Sequence, residues 1–302
     1  MNSARVFLSL TTQDNDYQRA QAAAATAAAR RLGITLEIGY ANGDAITQNG
    51  QILQVVQDRS RKFDCVVFEP VGTAMQQIAR IAASNGIAWV VLNYNADYIG
   101  QLRGSASAPV FEVSEDQHAA GQIQGEQFTA LLPRGGTVLY IQGPSENNAA
   151  RDRTQGMQSA LPTNIHITAL RGQWTEESAA RSVSSWLKLT VANRTKIDLV
   201  GAQNDVMAIG ARKTLASMDS FQERERWRDM PYTGVDGLPK TGQAWVRDGS
   251  LTATIVVPPN TGQAIQMMAS AMQGGGRVPE RSYTTAQSVP ALEKLVPRVV
   301  LA

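Results

Sequence analysis

The chain has 302 residues, about twice the usual domain size, so two compact lobes are expected rather than one. Hydrophobic residues make up 43% and charged residues 18%, a composition that excludes disorder as the main state. The formal charge is only +2, and no window of five or six like charges occurs, so the sequence gives no indication of a nucleic-acid partner.

Short β-branched runs alternate with longer amphipathic stretches, a pattern that predicts an α/β fold with parallel sheets. In the first half, strands are predicted at Arg5–Leu10, Thr35–Tyr40, Cys65–Phe68 and Ala88–Leu92, with helices at Tyr17–Leu32, Asp44–Ser60 and Thr73–Asn85. In the second half, strands are predicted at Thr137–Ile141, His166–Leu170, Asp198–Ala202 and Tyr232–Val235, with helices at Asn148–Leu161, Thr175–Ala192 and Asp205–Ser217. The two halves therefore follow the same plan.

Five further segments are predicted from glycine, proline and charged residues. Gly100–Glu112 is expected to cross between the halves, with a short strand at Val110–Val113. The charged segment Phe221–Pro231 breaks the periodicity and predicts a solvated loop. Pro258 and Pro259 end a strand at Thr252–Val257, a helix restarts at Asn260, and an apolar strand is expected at Arg298–Leu301.

The usual catalytic motifs are missing from the sequence, which has no G-x-S-x-G, no phosphate-binding P-loop and no G-x-G-x-x-G after the first strand. His118 and His166 have no partner at metal-binding spacing, and Cys65 lies in an apolar run that favours a buried thiol. No cofactor or metal is therefore expected. No stretch approaches the 18 apolar residues of a membrane span, and the printed N-terminus has neither a basic leader nor an apolar export core.

Polar and aromatic residues cluster just after the predicted strands, where ligands of open α/β sheets bind. These residues are Asn15, Tyr17, Glu69, Asn93 and Tyr94 in the first half, and Arg151, Trp174, Asn204 and Asp236 in the second. Each amide or carboxylate alone could instead be an ordinary helix cap or turn residue. Together they fit a small polyhydroxylated ligand, whose hydroxyls need donors and acceptors and whose apolar face lies on an aromatic ring.

Several segments resemble the type I periplasmic sugar-binding proteins of the ribose-binding group. They are Asn15-Asp16-Tyr17, A-A-R-D-R-T-Q-G (149–156), A-Q-N-D-V-M-A-I-G-A (202–211), Val235-Asp236-Gly237 and L-T-A-T-I (251–255). The resemblance implies two Rossmann-like lobes, 1–113 with 258–287 and 114–257 with 288–302, joined by three hinge segments. It also implies a ligand gripped between the lobes, which close on binding.

The resemblance assigns roles to single residues. It implies that Asn15 and Tyr17 supply a hydrogen bond and a stacking ring, and that Arg151 grips ring or hydroxyl oxygens. Trp174 would stack from the other lobe, and Asn204 and Asp236 would supply amide and carboxylate contacts.

The sequence also departs from the ribose-binding pattern. Asn93 and Tyr94 replace an Asp-Arg pair, Glu69 replaces an Asn, and Val257 stands where a hinge Gln is usual. Losing the charged pair argues against ribose itself. Another pentose, a hexose, a polyol or an amino-containing ligand all remain open.

The resemblance implies a monomeric receptor outside the cytoplasm that delivers a sugar-like ligand to an ABC transporter permease or reports it to a membrane sensor. One alternative is the effector-binding core of a LacI-type transcription regulator, although no helix-turn-helix precedes the first strand. A glycosidase is a further alternative. It would need two carboxylates facing one bond, and Glu69 with Asp236 is the only pair the sequence offers.

Overall fold

Strands and helices alternate along the computed structural model, which describes residues 3–297 except 74, 191, 219 and 275. The strands are β1 (Arg5–Leu10), β2 (Thr35–Tyr40), β3 (Cys65–Phe68), β4 (Ala88–Leu92), β5 (Val110–Glu115), β6 (Gly136–Gln142), β7 (Ile165–Arg171), β8 (Leu199–Ala202), β9 (Tyr232–Thr233), β10 (Thr254–Val256), β11 (Arg281–Thr284) and β12 (Gln287–Val289). The helices are α1 (Asp16–Leu32), α2 (Ala45–Gln57), α3 (Gln76–Ser84), α4 (Ile99–Ser105), α5 (Gln117–Leu131), α6 (Asn148–Ala160), α7 (Glu176–Leu187), α8 (Asp205–Ala216), α9 (Phe221–Asp229), α10 (Gly242–Arg247) and α11 (Thr261–Met272). None of these helices is long and apolar enough to cross a membrane.

The chain divides into two compact units. Unit 1 takes the chain up to Glu115 and the segment Pro259–Thr284, whereas unit 2 takes Asp116–Pro258 and the chain from Thr285 onward. The polypeptide therefore passes from one unit to the other three times.

The sheet of unit 1 is parallel, with strand order β11-β5-β4-β3-β1-β2. Its central strands β3 and β4 are buried at every residue, as expected for a parallel sheet with helices on both faces. One face packs against α2, α3 and α4 around Trp89 and Phe68, and the other packs against α1 and α11 around Phe111.

The main sheet of unit 2 is also parallel, with strand order β7-β6-β8-β9. A separate antiparallel pair is formed by β10 and β12. The predicted α/β class with parallel sheets is therefore confirmed. In both main sheets the order reverses beside the first strand of the unit, so β1/β3 and β6/β8 are the switch points where such sheets bind ligands.

Helices α5 and α6 of unit 2 pack closely because glycines line their contact. A Cβ atom added to Gly121 would lie 2.2 Å from the Arg153 carbonyl oxygen, and one added to Gly156 would lie 2.0 Å from the His118 carbonyl oxygen. Both distances are well inside van der Waals contact, so the two backbones can touch only where side chains are absent.

The structure corrects two predictions about the connections. The segment predicted as a solvated loop forms helix α9, because Trp227 and Met230 are buried in the core of unit 2 and hold its charged sequence in place. The expected crossing at Gly100–Glu112 instead contains most of α4 and the start of β5, both within unit 1. The predicted strand Arg298–Leu301 lies outside the described residues.

Replacing Gly121 with Ala should push α5 away from α6 and lower the free energy of unfolding by about 1–3 kcal/mol, the usual result of overpacking. Gly50→Ala is the matched control, since Gly50 lies inside α2 with nothing within 4 Å of an added Cβ. That change should stabilise the protein by about 0.8–1 kcal/mol through helix propensity. Thermal unfolding followed by circular dichroism measures both, and equal effects would contradict the packing described here.

Candidate functional site

Most of the candidate side chains of unit 1 lie where the β-strands end. Asn15 caps α1 by accepting hydrogen bonds from the backbone N–H groups of Tyr17 and Gln18. Tyr17 is buried, and its hydroxyl donates to the carboxylate of Glu115 at the end of β5. In the structure Asn15 therefore shapes the loop after β1, while Tyr17 joins that loop to β5.

The remaining predicted residues of unit 1 follow β3 and β4. Glu69 is partly exposed and accepts a hydrogen bond of 2.7 Å from Gln18 Nε2. Asn93 has φ +54°, and its Oδ1 accepts from the Glu115 backbone N–H and from Asn260 Nδ2 at 2.7 Å. Tyr94 is partly buried and packs against the core of the unit.

Two buried amides that the sequence analysis did not single out connect these residues. Gln21 Nε2 donates to Asn260 Oδ1 at 2.9 Å and to the Tyr17 hydroxyl at 3.3 Å. The Gln21 Oε1 accepts the backbone N–H of Thr261, so the orientation of both amides follows from a backbone donor. Asn260 Nδ2 must then donate to Asn93 Oδ1. The Asn93 side chain is therefore oriented with its oxygen toward Asn260 and its NH2 group on the opposite side. Gln21 lies within the alanine-rich helix α1, where its position in the sequence does not indicate this role.

A buried carboxylate lies behind the turn that follows β4. Glu112 is 1% exposed, and it accepts hydrogen bonds from the backbone N–H groups of Asn95 and Ala96, the latter at 3.0 Å. Burial raises the pKa of Glu112, while these N–H donors and the guanidinium of Arg281 oppose that rise.

In unit 2 the structure brings together a guanidinium, a carboxylate and an aromatic ring. Arg153 on α6 is 5% exposed, and its Nη1 lies 3.8 Å from Asp236 Oδ1. Its guanidinium carbon lies 5.7 Å from the centre of the Trp174 ring, within cation–π range. Gln117 Oε1 accepts from Arg153 Nε at 2.6 Å, and the Gln203 carbonyl accepts from its Nη1. A cation, an anion and an aromatic face thus share one edge of the unit.

The structure separates the two arginines of the A-A-R-D-R segment. Arg151, the residue predicted to grip ligand oxygens, is exposed and donates to Asn148 on its own helix. Arg153, two residues later, is the arginine that lies with Asp236 and Trp174. No contact described here tests the role of Arg151, so its assignment stays a prediction. Residues two apart on a helix face nearly opposite directions, and Arg153 shares the buried face of α6 with Ala150 and Met157, so the helical period favours Arg153.

Backbone conformation positions Trp174 and Asp236. Both are non-glycine residues with positive φ, +62° for Trp174 and +107° for Asp236. The indole ring lies on Gly143, where an added Cβ would be 2.3 Å from the ring. Asn204 caps α8 through the Met207 N–H, and its Nδ2 donates to the Trp174 carbonyl at 3.1 Å. Asn204 is thus a cap, as its residue type allows, and it also holds the Trp174 backbone.

A second buried carboxylate, Asp205, holds the loop that carries Asp236. Its Oδ2 accepts the Gly237 backbone N–H at 2.8 Å, and its Oδ1 accepts the Thr254 hydroxyl at 2.6 Å. Burial raises the pKa of Asp205 to about 7, against the lowering effects of these two donors and of Arg153.

Neither unit provides metal ligands in the part of the chain that the structure describes. No group of three or more His, Cys, Asp or Glu residues could hold an ion there. Cys65 is a free, buried thiol, and burial raises its pKa, so it is poorly suited to metal binding or nucleophilic attack.

A family model described as "Periplasmic binding protein domain" matches residues 6–276. The chain belongs to this family. Its members are binding proteins, so the family carries no catalytic assignment. The predicted membership is confirmed by a match that extends over both units.

Curated relatives within this family include receptors for small solutes. The chain is 29% identical over 198 residues to a putative rhizopine-binding protein of Rhizobium meliloti, covering 62% of this chain and 60% of the relative. It is 29% identical over 151 residues to the ribose import binding protein RbsB of Salmonella typhimurium, covering 50% and 48%. The chain thus matches about half to three fifths of the length of these relatives.

A solved structure resembles the whole chain. It is an ABC transporter solute-binding protein from Mycobacterium smegmatis with bound glycerol, 27% identical at a TM-score of 0.80, and the match covers 100% of this chain and 99% of that one.

The raised pKa of Asp205 predicts a pH-dependent stability. The folded state binds this proton more tightly than the unfolded state, so the contribution to stability is largest below about pH 4 and falls as pH rises to about 7. Asp205→Asn is nearly isosteric and does not titrate. We expect the wild-type free energy of unfolding, relative to this variant, to fall by more than about 1.4 kcal/mol between pH 4 and pH 8. Denaturant titrations across that range would show a constant difference if the carboxyl titrates normally.

Proposed function

We propose that this protein is a solute receptor that binds a sugar or sugar-like polyol, leaves it chemically unchanged and delivers it to an ABC transporter. The observation that carries the proposal is the Arg153, Asp236 and Trp174 group at the switch-point edge of unit 2. A guanidinium donates to hydroxyl oxygens, a carboxylate accepts from hydroxyl protons, and an indole face covers the C–H surface of a sugar ring.

The held orientation of Arg153 favours binding. Gln117 and the Gln203 carbonyl fix the guanidinium, so little side-chain entropy is lost when a ligand arrives. Hydrogen bonds to charged groups contribute about 1.5–3 kcal/mol each, so a few suffice for micromolar affinity, about 8 kcal/mol. In unit 1, the residues that follow β3 and β4 add further polar groups, namely Glu69, Asn93 and Tyr94.

The proposal extends to the setting of the protein. Family membership and the relatives reported above support a location outside the cytoplasm and a membrane transporter as partner, with a membrane sensor as the other possible partner. We further propose a monomer with no nucleic-acid partner and no catalytic activity. An assay for hydrolysis of nitrophenyl glycosides tests the last point, and turnover above background would contradict it.

A thermal-shift screen tests the binding proposal directly. D-ribose, D-xylose, L-arabinose, D-allose, myo-inositol and glucosamine are added separately, because a ligand that binds only the folded state raises the melting temperature. At least one compound is expected to raise it, with calorimetric titration giving the dissociation constant. Glycine betaine at matched osmolarity, which carries no hydroxyl groups, controls for solvent effects, and no shift across the panel would contradict the proposal.

Three variants of unit 2 test the placement of the site. Arg153→Met and Trp174→Ala should each weaken binding of the panel compound at least about tenfold, because a charge-assisted donor or the stacking surface is lost. Arg181→Met is the control, since Arg181 is exposed and pairs with Glu177 on the outer face of α7. Arg151→Met decides between the two arginines of α6. A larger loss for Arg151 than for Arg153 would support the prediction from sequence instead.

Asn93→Ala applies the same test to unit 1. The change removes the amide that Asn260 and the Glu115 N–H orient, and a loss of at least about tenfold is expected if this unit also contacts the ligand. Unchanged affinity would restrict recognition to unit 2.

A further inference from the structure

The turn that follows β4, residues Asn93–Ala96, is held by an ion pair from two neighbouring strands. Glu112 on β5 and Arg281 on β11 are directly opposite each other in the parallel register. The Glu112 carboxylate accepts the backbone N–H groups of Asn95 and Ala96, and Arg281 Nη2 donates to the Ala96 carbonyl at 2.8 Å. Arg281 Nε lies 3.6 Å from Glu112 Oε2. Glu112 thus binds the N–H groups of this turn and Arg281 binds one of its carbonyl groups, and we call the two residues the turn clamp.

The conformation of this turn explains why it needs a clamp. Asn93 has φ +54° and Asn95 has φ +59°, so two non-glycine residues lie in the left-handed region. Such a turn points successive N–H groups toward one spot, which is a natural anion site. Here the anion is the side chain of Glu112, which is 1% exposed.

The other end of the turn is held independently. Asn93 Oδ1 accepts from the Glu115 N–H at 3.2 Å and from Asn260 Nδ2 at 2.7 Å. Tyr94 lies between the two anchors, so its backbone is held on both sides, and its side chain packs against the core of the unit. Asn93 and Tyr94 are also the positions at which the sequence departs from the ribose-binding pattern.

We propose that Glu112 and Arg281 are positioning residues for ligand selectivity. By fixing the turn they set the directions in which Asn93 and Tyr94 face a bound sugar, and so determine which ring substituents are accepted. Neither clamp residue contacts the ligand. This inference rests on the proposed function, since it concerns how that same site chooses among sugars.

Glu112→Gln and Arg281→Lys test the clamp with little change in shape. Glutamine has one acceptor oxygen and turns an NH2 group toward the second N–H. Lysine keeps the charge but replaces the planar guanidinium, whose separate nitrogens face Glu112 and the Ala96 carbonyl, with a single ammonium nitrogen. The first measurement needs no ligand. Hydrogen exchange at the Asn95 and Ala96 amides, followed by NMR, should accelerate at least about tenfold in Glu112→Gln.

The second measurement is calorimetric titration of wild type and both variants with D-ribose, D-xylose, L-arabinose, D-allose and myo-inositol. A residue that matters only for stability would lower the melting temperature and leave the order of affinities unchanged. We expect the ratio of affinities between the two tightest-binding sugars to change at least about fivefold. Ile78→Val and Ile78→Ala are the controls for lost stability, because Ile78 is buried in the core of unit 1 and should not alter that ratio.

Each outcome decides a different point. Faster exchange with altered sugar ratios supports the proposal, whereas unchanged exchange shows that the carboxylate does not hold the turn. Faster exchange with unchanged ratios overturns the role in selectivity and leaves the proposed function intact. If wild type binds neither these five compounds nor glucosamine, the proposed function fails, and the selectivity role fails with it.

Discussion

The buried charge of Arg153 is the constraint around which the switch-point edge of unit 2 is organised. A guanidinium removed from water is costly unless its donors and its charge are matched. Gln117 and the Gln203 carbonyl accept hydrogen bonds from Arg153 Nε and Nη1. The Asp236 carboxylate lies 3.8 Å from Nη1, and the Trp174 ring lies over the guanidinium. The glycines of α5 and α6 belong to the same arrangement, because they let the two helices approach closely enough for Gln117 to reach it.

Unit 1 solves the opposite problem, since its buried charges are negative. Glu115 is matched by the Tyr17 hydroxyl, and Glu112 by two backbone N–H groups and Arg281. In both units the buried charged group is held by hydrogen bonds from neighbouring side chains or backbone groups.

The sequence predicted the fold better than it predicted the residues that hold the turns. Periodicity located every strand of the two parallel sheets except β11, because alternating apolar runs and amphipathic helices depend on local residue order. Turn residues such as Asn93 and Asp236 were singled out because they follow strands. Gln21, Glu112 and Asn260 were not, since each acts across a long sequence separation and looks locally like an ordinary helix, strand or cap residue. Helix α9 was also missed, because its charge masked the anchoring of Trp227.

The backbone at Trp174 has a consequence for engineering. An aromatic residue at φ +62° costs roughly 1–2 kcal/mol compared with an unstrained position, and glycine would relieve that cost while discarding the indole. The same ring covers the buried Arg153 guanidinium and packs on the core of unit 2, so glycine would exchange backbone strain for an uncovered charge and lost packing, and a heat-tolerant variant of this scaffold should keep the indole.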